Sequence, residues 1–348
     1  MAEDRQGKPT TLAGRERQAV LDRVKQAHEG IVQELRKVII GEADPIREVL
    51  AAMFAGGHCM IQGPPGTAKT ILIASLAKVM NLEFKRIQFT PDLMPSDISG
   101  TEILEEDRTT GHRFIKFVKG PVFCNILMAD EINRTPPKTQ AALLEVMQEK
   151  QVTMGGETYP LPKPHYVLAT QISMEQEGTY PLPEAQQDRF MISISMEYLP
   201  EDEEVEVVRR STGIEIGKLE QVISGEDLLE FQTAVRDVTV PPELGRYVVD
   251  LVAASRPTVE GCPDFIKDYV AWGAGLRASQ NIALIAKSFA AMDGRAVATA
   301  ADVRRAIVPV LRHRIGLSFR AEVDRVSVEE IIRRLLEAVR EPAGATAG

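Results

Sequence analysis

The chain reads as an α/β protein: a parallel five-stranded sheet with flanking helices, followed by a smaller all-α domain. Three observations predict this. Short apolar runs at 58–62, 84–89, 125–129, 165–170 and 191–195 recur with helical patterns between most of them, and strands alternating with helices build a parallel sheet. A Gly/Pro loop at 63–70 joins the first run to the helix-forming stretch 71–79, completing one strand, loop, helix unit. Past Leu199 and Pro200 the β pattern stops, and the acidic run 201–206 opens a region of helical periodicity that lasts nearly to the end.

Taken in order, residues 14–37 carry Val20, Leu21, Val24, Ile31 and Leu35 among charges, the pattern of an amphipathic helix. After 38–41 a second helical stretch runs to Phe54, and Gly56 and Gly57 break it before the first strand. Residues 150–159 read as a hairpin around Gly155 and Gly156. Two later helices carry capping boxes, Thr299 with Asp302 and Ser327 with Glu330, the second ahead of an Ile331, Ile332, Leu335, Val339 stripe. Residues 341–348 are small, polar and Pro/Gly-rich, a mobile tail. The expected division is an N-terminal helical segment at 1–37, an α/β core at 38–200, a helical domain at 201–340 and the tail.

Composition narrows the function classes. A chain of 348 residues is long for one core and short for three, and 44% hydrophobic with 26% charged residues is ordinary for a folded soluble protein. No apolar run is long enough to span a bilayer and the first residues lack the apolar centre of a secretion signal, so no membrane insertion and a cytoplasmic location are expected. Cys59, Cys124 and Cys262 lack CxxC spacing, which leaves buried reduced thiols rather than zinc or disulfides. Fifty acids against 41 bases give a net charge of −9, which disfavours nucleic acid as a partner unless basic groups gather locally, as in a ring's pore.

The chemistry sits on two strand ends. The loop Gly63-Pro64-Pro65-Gly66-Thr67-Ala68-Lys69-Thr70 resembles a phosphate-binding loop. Such a loop wraps phosphates in backbone N–H groups at a helix N-terminus, while the lysine neutralises phosphate oxygens and the Thr70 hydroxyl ligates Mg²⁺. Ala68 stands where the strict pattern has its second glycine, and a helix-compatible backbone is expected there. At the end of 125–129 come Asp130, suited to holding Mg²⁺ through its water shell, and Glu131, suited to polarising the water that attacks a γ-phosphate. Together the motifs make Gly63, Pro64, Gly66, Thr67, Ala68, Lys69, Thr70 and Asp130 the candidate binding set for ATP or ADP with Mg²⁺, and Glu131 the candidate base.

Residues 38–199 resemble the MoxR family of AAA+ ATPases, P-loop NTPases of the helix-2-insert clade. The resemblance rests on Ile87-Gln88-Phe89-Thr90-Pro91-Asp92, on Ala129 to Arg134 and on Glu177 to Gln186; the helical half matches more loosely, through Gly273 to Ser279. It implies a homo-oligomeric ring, usually hexameric, with ATP between neighbours, and it puts Ile39 and Ile40 among the nucleotide contacts. It implies that Arg189 is a finger reaching the next subunit's ATP, an effect worth roughly 10³–10⁵-fold in related chemistry; the alternative is an ion pair with a nearby acid. Arg277 corresponds to the lid arginine called sensor 2, although Gly275-Leu276 replaces the usual Ser-Pro before it. Arg134 either faces the neighbour or is an exposed helix-start residue. The segment 91–100 resembles the helix-2 insert, and with the 150–159 hairpin it would face the pore or one rim, or simply pack as loops.

One departure bears on turnover. At 169–173 the chain has Ala-Thr-Gln-Ile-Ser where the family carries Ala-Thr-Gln-Asn-Pro, so Ile172 replaces the sensor 1 asparagine. Either hydrolysis slows, or Thr170 or Gln171 takes over, or Glu131 suffices. The resemblance implies a chaperone that remodels or matures a client protein complex, including metal-cofactor loading with a von Willebrand A-type partner. Two other readings stay open: a nucleotide-gated assembly switch with little hydrolysis, and a DNA-handling motor.

Overall fold

The computed structural model describes residues 14–106, 112–171, 178–211 and 218–342. Its centre is a sheet of five parallel strands, β1 (Cys59–Gln62), β2 (Phe84–Gln88), β3 (Ile126–Asp130), β4 (Tyr166–Thr170) and β5 (Ile192–Ser195), in the order β2-β3-β4-β1-β5. Alternation along each strand sorts side chains to two faces. Ile61, Ile126, Met128, Leu168 and Ile194 join one buried cluster, while Met60, Leu127, Ala129, Val167 and Ala169 join another. Edge strand β2 leaves Arg86 and Gln88 exposed.

On the first face lie the helices Gly14–Leu35, Ala43–Ala55 and Lys69–Val79 together with lid helices Gly225–Asp237 and Leu276–Met292. Leu21, Val24, Ile31 and Leu35 of the first helix are fully buried there beside Phe231, Ile282 and Phe289 of the lid. Four such side chains contribute on the order of 6–12 kcal/mol before ordering costs. One core therefore joins N-terminal helix, sheet and lid. The second face packs against helix Pro137–Glu149 and the hairpin Gln151–Met154/Glu157–Pro160, whose turn glycines have φ 59° and 83°.

Two features differ from the sequence reading. Helix Pro95–Ser99 leads into a second hairpin, Gly100–Glu106 with Arg113–Lys119, which packs Phe117 against the second cluster but leaves Leu104 and Ile115 66% and 68% exposed; with so little of it buried, its pattern does not alternate cleanly and gave no strand signal. The lid is mostly helical but also carries a short antiparallel pairing of Val270–Trp272 with Gly316–Leu317 and an isolated bridge between Thr239 and Val297. Of the expected caps, Thr299 and Asp302 form their box, and Arg295 grips both oxygens of buried Asp302. Ser327 accepts from Glu330 N, but the Glu330 carboxylate turns to Arg333 and Arg334, which hold it down at about 2. The three cysteines are buried and free. Among the described residues no helix is long and apolar enough to cross a membrane.

Register sets up the site. Gln88 pairs with Asp130, Ala129 with Ala169, and Ile61 with both Thr170 and Ile194, so the carboxyl ends of the strands are level and their following loops converge.

Candidate functional site

The loop after β1 is shaped by its glycines. Gly63 has φ 143°, and a Cβ there would lie 2.0 Å from Met196 O, so the loop passes directly over the backbone leaving β5. Ala68 has φ 56° and ψ 18°, a left-handed conformation, and so corrects the expectation of a helix-compatible backbone. The turn into helix Lys69–Val79 demands the geometry a glycine adopts freely, and the alanine bears about 1–2 kcal/mol of strain. Lys69 Nζ donates to Gly63 O at 2.8 Å and Pro64 O at 2.6 Å, and Thr67 Oγ1 donates to Pro64 O at 3.0 Å. Burial lowers the Lys69 ammonium's pKa, opposed by Asp130, Glu42 and Glu131.

The acids at the end of β3 are held differently. Asp130 Oδ1 accepts from Thr170 Oγ1 at 2.5 Å, and Oδ2 accepts from Arg86 Nε at 3.0 Å and Nη2 at 2.5 Å. Glu131 is left-handed at φ 56° and ψ 50°; its N–H donates to Thr170 Oγ1 at 2.8 Å, and its carboxylate accepts from Gln88 Nε2 at 2.8 Å and Arg134 Nη1 at 3.1 Å. A left-handed glutamate is strained, and the turn it makes aims the carboxylate at the cleft. Thr170 thus ties the side chain of Asp130 to the backbone of Glu131.

These groups line one cleft of about 1340 Å³, which runs from Gly63–Thr70 across to Asp130, Glu131, Thr170 and Gln171. It adjoins a largely apolar pocket of about 360 Å³ that includes Val38, Ile39, Ile40, Ile71, Tyr198 and Leu199. Gly66, Thr67 and Ala68 border both. At the rim of the smaller pocket Glu42 is pushed up to about 7 by burial and by Glu203 and Glu197, against the pull of Lys69. An apolar slot joined to a lysine-bearing loop at a helix N-terminus fits a base-ribose-triphosphate. Thr70 and Asp130 offer oxygens only, with both Asp130 oxygens engaged, which fits a Mg²⁺ ion that keeps its waters. Among the described residues no three His, Cys, Asp or Glu side chains gather as a metal cage.

The structure brings Ile39, Ile40, Gly63, Pro64, Gly66, Thr67, Ala68, Lys69, Thr70, Asp130 and Glu131 to these cavities. It does not bring Arg189 or Arg277 to them. Arg189 Nη1 donates to Leu144 O at 2.8 Å, and Arg277, half exposed, pairs with Asp188 at 3.2 Å. Arg134 pairs with Glu131. Ile172 and Glu177 lie outside the described residues. Sequence reasoning missed Arg86, Gln88 and Glu42. The signal for the first two was available, since alternate residues at the end of β2 share a face beside the β3 acids.

A phosphate loop on β1, an acidic pair ending β3, this strand order and a helical lid define an AAA+ ATPase. Residues 58–192 match the ATPase family associated with various cellular activities (AAA), and residues 265–335 match the AAA lid domain. The chain is 41% identical to Chaperone MoxR1 of Mycobacterium tuberculosis over 314 residues, covering 90% of this chain and 82% of that one. It is 30% identical to Protein MoxR of Methylorubrum extorquens over 331 residues, covering 89% and 94%. A crystal structure of a chain assigned as an ATPase from Cytophaga hutchinsonii superposes with a TM-score of 0.85 at 40% identity, covering 94% and 99%. The chain belongs to the MoxR family of AAA+ ATPases.

Proposed function

We propose that this protein binds ATP with Mg²⁺, hydrolyses it in a cytoplasmic homo-oligomeric ring, a hexamer by family resemblance, and uses the cycle to remodel or mature a client protein complex. The observation that carries the reading is the convergence of Lys69, Thr70, Asp130, Glu131 and Thr170 on one cleft that opens into the pocket of Ile39 and Ile40. The 63–70 amides and Lys69 hold the phosphates, and the apolar pocket takes the base. Glu131 polarises the attacking water, while Thr170 fixes both acids in relation to each other. Thr70 and Asp130 would hold Mg²⁺, which would supply charge neutralisation at the phosphates. Arg189 of a neighbouring subunit faces the γ-phosphate, and Arg277 reaches it from the same chain after leaving Asp188. Chaperone work is supported by the name of the mycobacterial relative. Metal-cofactor loading and a von Willebrand A-type partner extend that reading on family resemblance alone.

A second reading follows from Ile172: a nucleotide-gated assembly switch with little hydrolysis. Ile172→Asn distinguishes the two, since a large rise in turnover favours the switch. The test of the main reading is ATP turnover against protein concentration for wild type, Glu131→Gln and Arg189→Ala, with particle size by light scattering. Turnover per chain rises as rings form, and both variants lose it while keeping nucleotide affinity. A wild type with no affinity for ATP or ADP in the presence of Mg²⁺ overturns the proposal.

A further inference from the structure

The segment that carries Arg189 into β5 is held by a side chain from far along the sequence. Arg314 follows lid helix Ala300–Leu311, and its side chain is only 2% exposed. Its Nε donates to Asp188 Oδ1 at 2.8 Å, and its Nη2 to Asp188 O at 3.1 Å and Phe190 O at 2.5 Å. Its Nη1 donates to Met191 O at 3.1 Å and Val310 O at 2.6 Å. A guanidinium has five N–H donors in a rigid plane, and here every one is committed. Four of the five acceptors belong to the residues immediately around Arg189. His313 Nε2 lies 3.2 Å from Phe190 O, and Arg312 donates to Ser193 O.

Simple attachment of lid to core does not call for this arrangement. Apolar side chains already join the two through the shared core, and a buried cation is tolerated only when fully satisfied. What the guanidinium adds is direction. One rigid plane fixes the carbonyls on both sides of Arg189, and with them the angle at which that side chain leaves the backbone. The second oxygen of Asp188 takes Arg277 at 3.2 Å, so the carboxylate beside Arg189 is shared by two lid arginines.

We propose that Arg314, acting through Asp188 and the 188–191 backbone, is the positioning residue that sets Arg189 for the neighbouring subunit's phosphate site, so that the lid of one chain governs hydrolysis in the next. This rests on the reading of Arg189 given above. When Arg277 turns to the γ-phosphate of its own site, Asp188 loses one of its two lid partners and the hold on Arg189 changes.

The test uses full-length Arg314→Lys and Asp188→Asn, each assayed for ADP affinity and turnover, alone and mixed with Glu131→Gln. Lysine keeps the charge but not the fork. Alone, each variant loses about 100-fold in turnover, the scale of a 1 Å misplacement, with ADP affinity unchanged. Mixing restores activity, because the variant chain supplies an intact phosphate site and the Glu131→Gln chain an intact Arg189. Arg189→Ala mixed with Glu131→Gln is the control. If the wild type does not turn over, the same set is run on the Ile172→Asn background; if the control is not rescued there or in the wild type, the reading of Arg189 fails and takes this inference with it. If the control is rescued but Arg314→Lys and Asp188→Asn are not, or if both lose ADP binding, Arg314 serves only its own chain's fold or site, and this inference alone is overturned.

Discussion

The carboxyl end of the sheet and the segment before β5 both gather charge, but they hold it in opposite ways. At the strand ends the side chains of Asp130, Glu131 and Arg86 are 14%, 29% and 47% exposed, and Lys69 rests on carbonyls of its own loop. Arg86 and Arg134, each about half exposed, can leave their carboxylates for water at little net cost, because an exposed ion pair is worth only about 0–1 kcal/mol. Beside Asp188, itself 31% exposed, the reverse holds for the cation: Arg314 is buried with every donor engaged, and breaking one of its bonds leaves an N–H of that guanidinium without water to replace it. The first region is built to exchange partners, the second to transmit position.

That contrast is most exposed to test at Glu131. Glu131→Gln keeps the shape and a hydrogen-bonding oxygen but removes the base, so turnover should fall by about 10²–10⁴-fold with nucleotide affinity retained. Loss of affinity as well, measured by titration with a fluorescent ADP, would mean that the strand end is a rigid frame like the 188–191 segment. Gly63→Ala probes a rigid point of the exchanging region. Its Cβ would meet Met196 O at 2.0 Å with φ at 143°, and the melt should register a destabilisation of about 3 kcal/mol.

The same contrast explains what the sequence reveals. The phosphate loop was legible because its chemistry comes from consecutive residues: 63–70 fix both the backbone path and the donors, and 130–131 follow directly from an apolar run. Strands β1, β3, β4 and β5 were legible from apolar runs that are buried in the structure, whereas edge strand β2 buries only Ile87 and was read from its spacing between helical stretches. The Asp188–Arg314 contact spans 126 residues and depends on burial, and nothing local marks Arg314 off from Arg312 or Arg320. The hairpin at 100–119 was missed because most of its apolar residues stay exposed, and Ala68 was misjudged because a methyl group's size says nothing about φ.

A smaller effect tests the packed side of the comparison by pH. Glu48, on helix Ala43–Ala55, is pushed up to about 7 from 4.5, chiefly by burial and against the pull of Arg312. A carboxyl whose folded pKa is raised lends stability that is fully present below 4.5 and is lost as pH rises through about 7. Glu48→Gln should remove that slope and gain roughly 3 kcal/mol over wild type on the alkaline side, read from melts across the range. A slope unchanged in the variant would shift attention to Glu42, raised to about 7 at the nucleotide pocket, and so to the exchanging region.

The smallest effect is the sharpest test of exchange. Arg86 lies against Asp130 with its side chain 47% exposed, so on the proposed reading its guanidinium and a Mg²⁺ ion would compete for the same carboxylate. Arg86→Met removes the competitor, and the Mg²⁺ concentration for half-maximal nucleotide binding should fall, by up to about fivefold given the worth of an exposed pair. The direction matters more than the size. If more Mg²⁺ is needed, Arg86 orients Asp130 rather than occupying it, and the ends of β2 and β3 form a fixed support whose geometry, like that around Arg189, has to be built before the ion arrives.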